Sequence, residues 1–181
     1  MMRAFAQARP AASETGVPSR SIVAPYAKGA LPALLEGMQS TNYRVRHLAA
    51  LALPAIGYNS PEYVPPLLRL LSDRDATVRR QALDSLADFG PLGIAALPQA
   101  RRSLHDTNGL THAAALMFFD KVLSDEEFLA VRDEVTNAKT DSDATVSTVA
   151  QFVLSRRPRA KMKFIQSQWA PSARLELPEL R

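Results

Sequence analysis

The sequence predicts an all-α protein: a short solenoid of about four helical hairpins with extended N- and C-terminal tails. Three observations carry this expectation. Val45-Arg46 through Gly57 and Val78-Arg79 through Gly90 place valine, arginine, alanine, bulky apolar residues and a closing glycine in one frame, 33 residues apart. Leu31, Leu34, Leu35 and Met38 recur as Val64, Leu67, Leu68 and Leu71 at the same offset, with the spacing of one helix face. Alanine and leucine dominate the middle of the chain, and aromatics make up only 7% of it, a mix that suits close-packed helices. A fixed period of this length marks a repeat array, in which no unit buries its apolar face alone.

Residues 1–28 hold Pro10, Pro18 and Pro25 among small polar residues and read as an extended arm. The first unit, 29–57, pairs a helix from about Gly29 to Gln39 with a second that Gly57 closes. The second, 58–90, opens with Ser60 as cap, Pro61 at the first helical position and Glu62 against the helix dipole. It turns at Ser72-Asp73-Arg74-Asp75 and ends at Gly90. The third, 91–123, matches Leu97-Pro98 to Val64-Pro65, and Ala115-Leu116 to Ala82-Leu83. The fourth, 124–156, opens with the capping box Ser124-Asp125-Glu126-Glu127. Its Asp143-Ala144-Thr145-Val146 echoes Asp75-Ala76-Thr77-Val78 at two repeats plus two inserted residues. Residues 157–181 form a basic tail with a short amphipathic helix, on which Met162, Ile165 and Trp169 share a face.

The net charge of +4 is unevenly spread. Residues 30–123 carry nine basic and eight acidic side chains, 124–154 two and seven, and 155–181 seven and two. An acidic last unit followed by a basic tail points to contact with an anionic surface, which includes the chain's own last repeat. The chain contains no cysteine, so disulfides, thiolate-ligated zinc and thiol nucleophiles are excluded. No apolar run spans a bilayer. The cytoplasm is the expected compartment, and the Ala-, Arg- and Ser-rich first 29 residues resemble a mitochondrial presequence in composition.

The repeat pattern resembles the HEAT-repeat family of armadillo-like α-solenoids over residues 29–156. Its signature is a proline in helix A, an aspartate in the intra-repeat turn and valine-arginine early in helix B. The corresponding residues are Pro65, Asp73, Val78 and Arg79; Pro32, Val45 and Arg46 with Ser40 in place of the aspartate; Pro98 and Asp106 with Thr111 and His112 in place of valine-arginine; and in the last unit Asp141 and Val146, with Ser147 in place of the arginine. The resemblance implies a structural ladder that joins neighbouring repeats through Arg46, Asp73, Arg79, Asp106, His112 and Asp141. It also implies a scaffold or adaptor, with other protein subunits as partners. A fainter similarity to armadillo-type proteins of ciliary radial spokes rests on Ala30-Leu31-Pro32, Gln39-Ser40, Arg46 and Pro61-Glu62, and implies a cilium as a further compartment.

Stacked second helices place equivalent residues in rows. His47, Arg80 and Ala113 form one, and Leu51, Asp84 and Met117 another, a surface suited to a partner helix or extended peptide. The alternative is that these side chains are simply solvated or packed between helices. Arg156, Arg157, Arg159, Lys161 and Lys163 suit contact with the phosphates of RNA, DNA or acidic lipid, which makes a nucleic-acid-binding module the alternative function. Met162, Ile165 and Trp169 suit docking on a partner or capping of the last repeat. His47, His105 and His112 lack the spacing of a metal site. No nucleophile elbow or phosphate-cradling glycine loop is present. No cofactor and no catalytic residue are expected.

Overall fold

The computed structural model describes residues 20–56 and 61–157. All regular structure among them is helical. The first pair is α1 (Arg20–Gly37) and α2 (Tyr43–Ile56). A 3₁₀ turn, Pro61–Tyr63, leads into α3 (Val64–Leu70), which pairs with α4 (Ala76–Asp88). A longer 3₁₀ stretch, Gly90–Ala96, precedes α5 (Leu97–Ser103), which pairs with α6 (Gly109–Val122). In the last unit the first helix is split into α7 (Asp125–Leu129), α8 (Arg132–Asn137) and a 3₁₀ turn, Ala138–Thr140, before α9 (Ala144–Arg156).

Local chemistry explains most of these boundaries. Pro65 and Pro98 each sit at the second position of a helix, where a missing N–H costs nothing. Asp75, Asn108 and Asp143 cap α4, α6 and α9 by accepting backbone N–H groups of the first turn. Asn42 does the same for Arg44 N at 3.0 Å before α2. Together they form a cap row at offsets of 33, 33 and 35 residues. Ser124 accepts from Glu127 N at 3.2 Å while Glu127 Oε2 accepts from Ser124 N at 2.8 Å, a complete capping box. Gly90 closes α4 at φ 57°, a left-handed conformation that glycine adopts without a Cβ penalty. Gly93 is needed for another reason: a Cβ there would lie 2.2 Å from the Leu86 carbonyl oxygen.

Helices α2, α4, α6 and α9 lie side by side as one layer, with α1, α3, α5 and α8 against them as the other. The core runs continuously between the layers. Leu53, Leu67, Leu83, Leu86, Leu116, Phe118, Phe119 and Phe128 are its largest fully buried side chains. Phe118 and Phe119 meet edge to face at 6.1 Å.

Two details depart from the reading of the sequence. Helix α1 begins at Arg20, so residues 20–28 are helical rather than part of an extended arm. That reading takes Pro25 as a break, whereas a proline inside a helix removes one hydrogen bond and bends it, at about 3 kcal/mol, without dictating its end. Pro32 accordingly falls in the interior of α1, unlike Pro65 and Pro98. The expected caps Gly57 and Ser60 lie outside the described residues, as do Arg159, Lys161, Met162, Lys163, Ile165 and Trp169.

Candidate functional site

The intra-repeat turns line up along one edge and carry a series of joints. Arg46 reaches from α2 to Asp73 in the next turn with a two-pronged pair, Nε–Oδ2 and Nη2–Oδ1 both at 2.7 Å. Its remaining nitrogen donates to the Ser40 and Thr41 carbonyls at 2.8 and 3.0 Å. Arg79 repeats the arrangement with Asp106 at 2.7 and 2.8 Å, and donates to the Asp73 carbonyl at 2.9 Å. Each guanidinium therefore fastens its own turn and the following one, which the planar fork of arginine allows. In the third joint His112 Nδ1 stands 3.7 Å from Asp141 Oδ2, a looser contact. The aspartates also brace their own turns. Asp73, Asp106 and Asp141 accept the N–H two residues on, at 2.9, 2.9 and 2.8 Å.

Electrostatics follow from this geometry. Burial pushes the Asp73 carboxyl up, but the Arg46 hydrogen bonds, the Asp75 amide and the Arg74 charge outweigh it, and it sits below the ordinary carboxylate range. Asp106 is lowered against the same penalty by Arg79 and the Asn108 amide. His112 goes down, because burial disfavours its charged form more than Asp141 favours it.

The solvent side of the second-helix layer is different in kind. At successive repeats it carries His47, Arg80, Ala113 and Thr148 in one row, and Leu51, Asp84, Met117 and Phe152 in the next. Leu51 is 52% exposed and Phe152 46%, while Met117 is half-buried against the core and Ala113 is buried. His47 and Arg80 are half-buried. His47 Nδ1 and Arg80 Nε are shielded from solvent with no hydrogen-bond partner. Asp84 lies among Arg80, Lys121, Asp88 and His47, yet burial dominates and holds its carboxyl above the ordinary range. Lys121 pairs with Asp88 at 3.3 Å across α6 and α4.

Asp84 therefore works against folding wherever it is ionised. For a carboxyl raised in the folded state, this penalty is present above the folded pKa and vanishes below the unfolded one. Asp84→Asn is expected to raise the Tm by a few degrees at pH 7, with the gain shrinking towards pH 4. Thermal unfolding at several pH values measures this, and an unchanged or lower Tm at pH 7 refutes it.

Sequence reasoning assigns Arg156 and Arg157 to a basic tail, and the fold uses them otherwise. Arg157 donates from Nε to Asp120 Oδ1 at 3.1 Å and from Nη1 to the Leu123 carbonyl at 2.8 Å. It also reaches Asp125 Oδ1 and the Phe119 and Asp120 carbonyls, and its guanidinium lies 5.1 Å from the centre of the Phe128 ring. Arg156 pairs with Asp120 Oδ2 at 3.1 Å and covers Phe152 at 5.4 Å. With the Arg157 and Asp120 side chains 11% and 3% exposed, Arg157 is a clasp at the C-terminus of α6 rather than a free phosphate contact.

Reading the sequence misses the cap row, this clasp and Phe152. The first shows as Asn or Asp two residues after each ladder position. The last lies 35 residues beyond Met117, at the offset set by the two inserted residues. Asp120–Arg157 has no local signal, because the partners are 37 residues apart. Ser40 and Arg46 are both engaged in the joints: Arg46 pairs with Asp73 and Ser40 Oγ accepts from Asn42 N at 3.2 Å.

Paired helices in two layers, joined turn to turn by arginine–aspartate forks, define an α-solenoid. Residues 31–118 match the family model for HEAT repeats, and the array is an all-α, HEAT-like repeat solenoid. A solved structure described as an engineered protein is similar to it, at 20% identity and a TM-score of 0.54, over 73% of this chain and 64% of that one. This likeness concerns the fold, and the chain spans somewhat under two thirds of that protein's length. No curated protein matches the sequence significantly. Among the described residues no helix is long and apolar enough to cross a membrane.

Proposed function

We propose that the chain is a non-enzymatic adaptor of a larger protein assembly, holding a partner segment on the solvent face of α2, α4 and α6. HEAT repeats in general serve as scaffolds for protein–protein interaction, and this chain's own polar groups support a specific face. The observation that carries the reading is the cluster His47, Arg80 and Asp84, with two shielded nitrogens lacking partners and a carboxylate held at a cost to stability. Buried polar groups are normally satisfied, so a partner supplying an acceptor for Arg80 and a donor for Asp84 would complete the site. Leu51 and Met117 flank it with apolar surface, and Phe152 extends that surface to α9.

Affinity purification of the chain from its native cell, beside Arg80→Ala/Asp84→Asn and Leu51→Ala/Met117→Ala variants, tests the reading. Both variants are expected to lose the same co-purifying subunits while their circular dichroism stays helical. Retention of the same subunits by both rules out this face. The setting we propose is the cytoplasm, or a cilium on the faint resemblance of a few residues of the sequence to armadillo-type radial-spoke proteins. Nucleic-acid binding draws less support, since Arg156 and Arg157 are engaged with Asp120.

A further inference from the structure

The two ends of the array are not alike. On each second helix one stripe faces the preceding repeat. In α4 it is Val78, Gln81 and Ser85, and Ser85 Oγ donates to the Ala50 carbonyl of α2 at 2.8 Å. In α6 the stripe is Thr111, Ala114 and Phe118, and Thr111 Oγ1 donates to the Ala76 carbonyl of α4 at 3.3 Å. Val78, Thr111 and Val146 are fully buried at the first of these positions, yet Val45 in α2 is 41% exposed. At the next, Gln81 and Ala114 are buried, whereas Leu48 is 59% exposed. With Leu51, Ala52, Ala33 and Gly37 they line one open apolar depression on α1 and α2.

The opposite end is finished. The stripe facing the following repeat is Arg79, Leu83 and Ala87 in α4, and His112, Leu116 and Asp120 in α6. In α9 it becomes Ser147, Gln151 and Ser155. Leu83 and Leu116 are fully buried, and Gln151 takes their place exposed. Solenoid ends need a polar outer face to stay in solution. Residue for residue, α9 has one and α2 does not.

We infer that the α1–α2 end is a self-association surface, covered by the same end of a second copy. Three observations select this occupant. The ladder stops at this end, because Ser40 replaces the aspartate that would receive an arginine from a preceding repeat. A further HEAT repeat carrying that arginine would meet no acceptor. The polar stripe of α9 offers nothing to a bare apolar face, so stacking end to tail is disfavoured and the contact closes as a two-fold dimer. Charge supports the same pairing. Glu36 borders the apolar strip on the α1 side, beside Ala33, Gly37 and Val45. Arg44 borders it on the α2 side, one turn before Leu48. Neither makes an ion pair among the described residues. A two-fold that lays α1 of each copy over α2 of the other sets each Glu36 against an Arg44 of the second copy, so the rim is self-complementary.

Sedimentation equilibrium of the full chain across a concentration series tests this. The expected mass is twice that of one chain, falling to a single chain on dilution. Leu48→Glu is expected to give a single-chain mass throughout, with helical circular dichroism unchanged. Glu36→Arg and Arg44→Glu should each weaken association at least tenfold, and the double variant Glu36→Arg/Arg44→Glu should restore it. A wild-type chain that stays at single mass throughout overturns the proposal, as does a dimer indifferent to Leu48→Glu. So does a chain that dimerises only once residues 1–19 are removed, because that segment would then be the occupant. Each of these failures leaves the proposed partner face untouched: Glu36, Arg44 and Leu48 are not among its residues, and of the depression's lining only Leu51 belongs to both surfaces.

Discussion

Asp73→Ala is expected to destabilise the array by about 3–5 kcal/mol, the cost of leaving one member of a buried ion pair without its partner. The Arg46 and Asp73 side chains are only 7% and 9% exposed, and the pair is bidentate. The variant strips Arg46 of its counter-charge and deprives the Asp75 N–H of its acceptor. A loss of this size is a large share of a domain's usual 5–15 kcal/mol, and it corresponds to a fall in Tm of about 10 °C or more. Asp73→Asn keeps an acceptor for the turn and isolates the charge. Replacing both partners with apolar residues, Arg46→Met/Asp73→Leu, should recover much of the loss, since neither charge is then buried. Urea unfolding of the four chains measures it, and a cost below about 1 kcal/mol for Asp73→Ala would place the pair with ordinary surface bridges. The pH dependence has a definite sign. Asp73 and Asp106 are lowered in the fold, so their contribution is complete above the ordinary carboxylate pKa and is lost as pH falls through the folded one. The gap between wild type and Asp73→Ala should therefore close below about pH 4.

Arg157→Ala should have the second largest effect, about 3 kcal/mol, for the same reason at the other end of the chain. It leaves the Asp120 carboxylate buried with only the half-exposed Arg156 beside it, and it frees the Leu123 carbonyl that closes α6. Arg157→Lys should recover little, because a point charge cannot serve a carboxylate and several carbonyls at once. Arg156→Ala should cost under about 1 kcal/mol, given its exposure. In a solenoid each repeat contacts only its neighbours. The loss should thus appear as faster amide exchange in α9 and α6, with α2 and α4 protected as before. A uniform loss across all four helices would contradict a local clasp.

The spacing of Arg46, Asp73, Arg79 and Asp106 is legible in the sequence because these residues repeat with the fold's own period, and their joints depend only on neighbouring turns. His112 and Asp141 follow the same logic with a weaker pair, and the two-residue insertion before Asp141 is visible too. The rows on the second helices were also available from the period, as positions. Whether a position is covered was not. Leu48 and Gln81 are equivalent in sequence, yet the apolar one is exposed and the polar one buried, because among the described residues α4 has a repeat packed in front of it and α2 does not. Arg157 resembles Arg159 as a charge along the chain, yet it is buried against Asp120 because α9 ends beside the C-terminus of α6.

What the sequence by itself determined is therefore the periodic part of this protein: paired helices, the turns between them and the regular spacing of the arginines and aspartates that meet there. These arise from interactions within about one repeat, so they leave a mark at fixed spacing. The tertiary structure alone decided what happens where the period breaks. It left the α1–α2 face bare, exposed the polar face of α9, drew Arg157 into a clasp, and shielded His47 Nδ1 and Arg80 Nε without giving them partners. Burial is set by what stands next to a residue in space, and at the ends of an array that neighbour is no longer implied by the repeat.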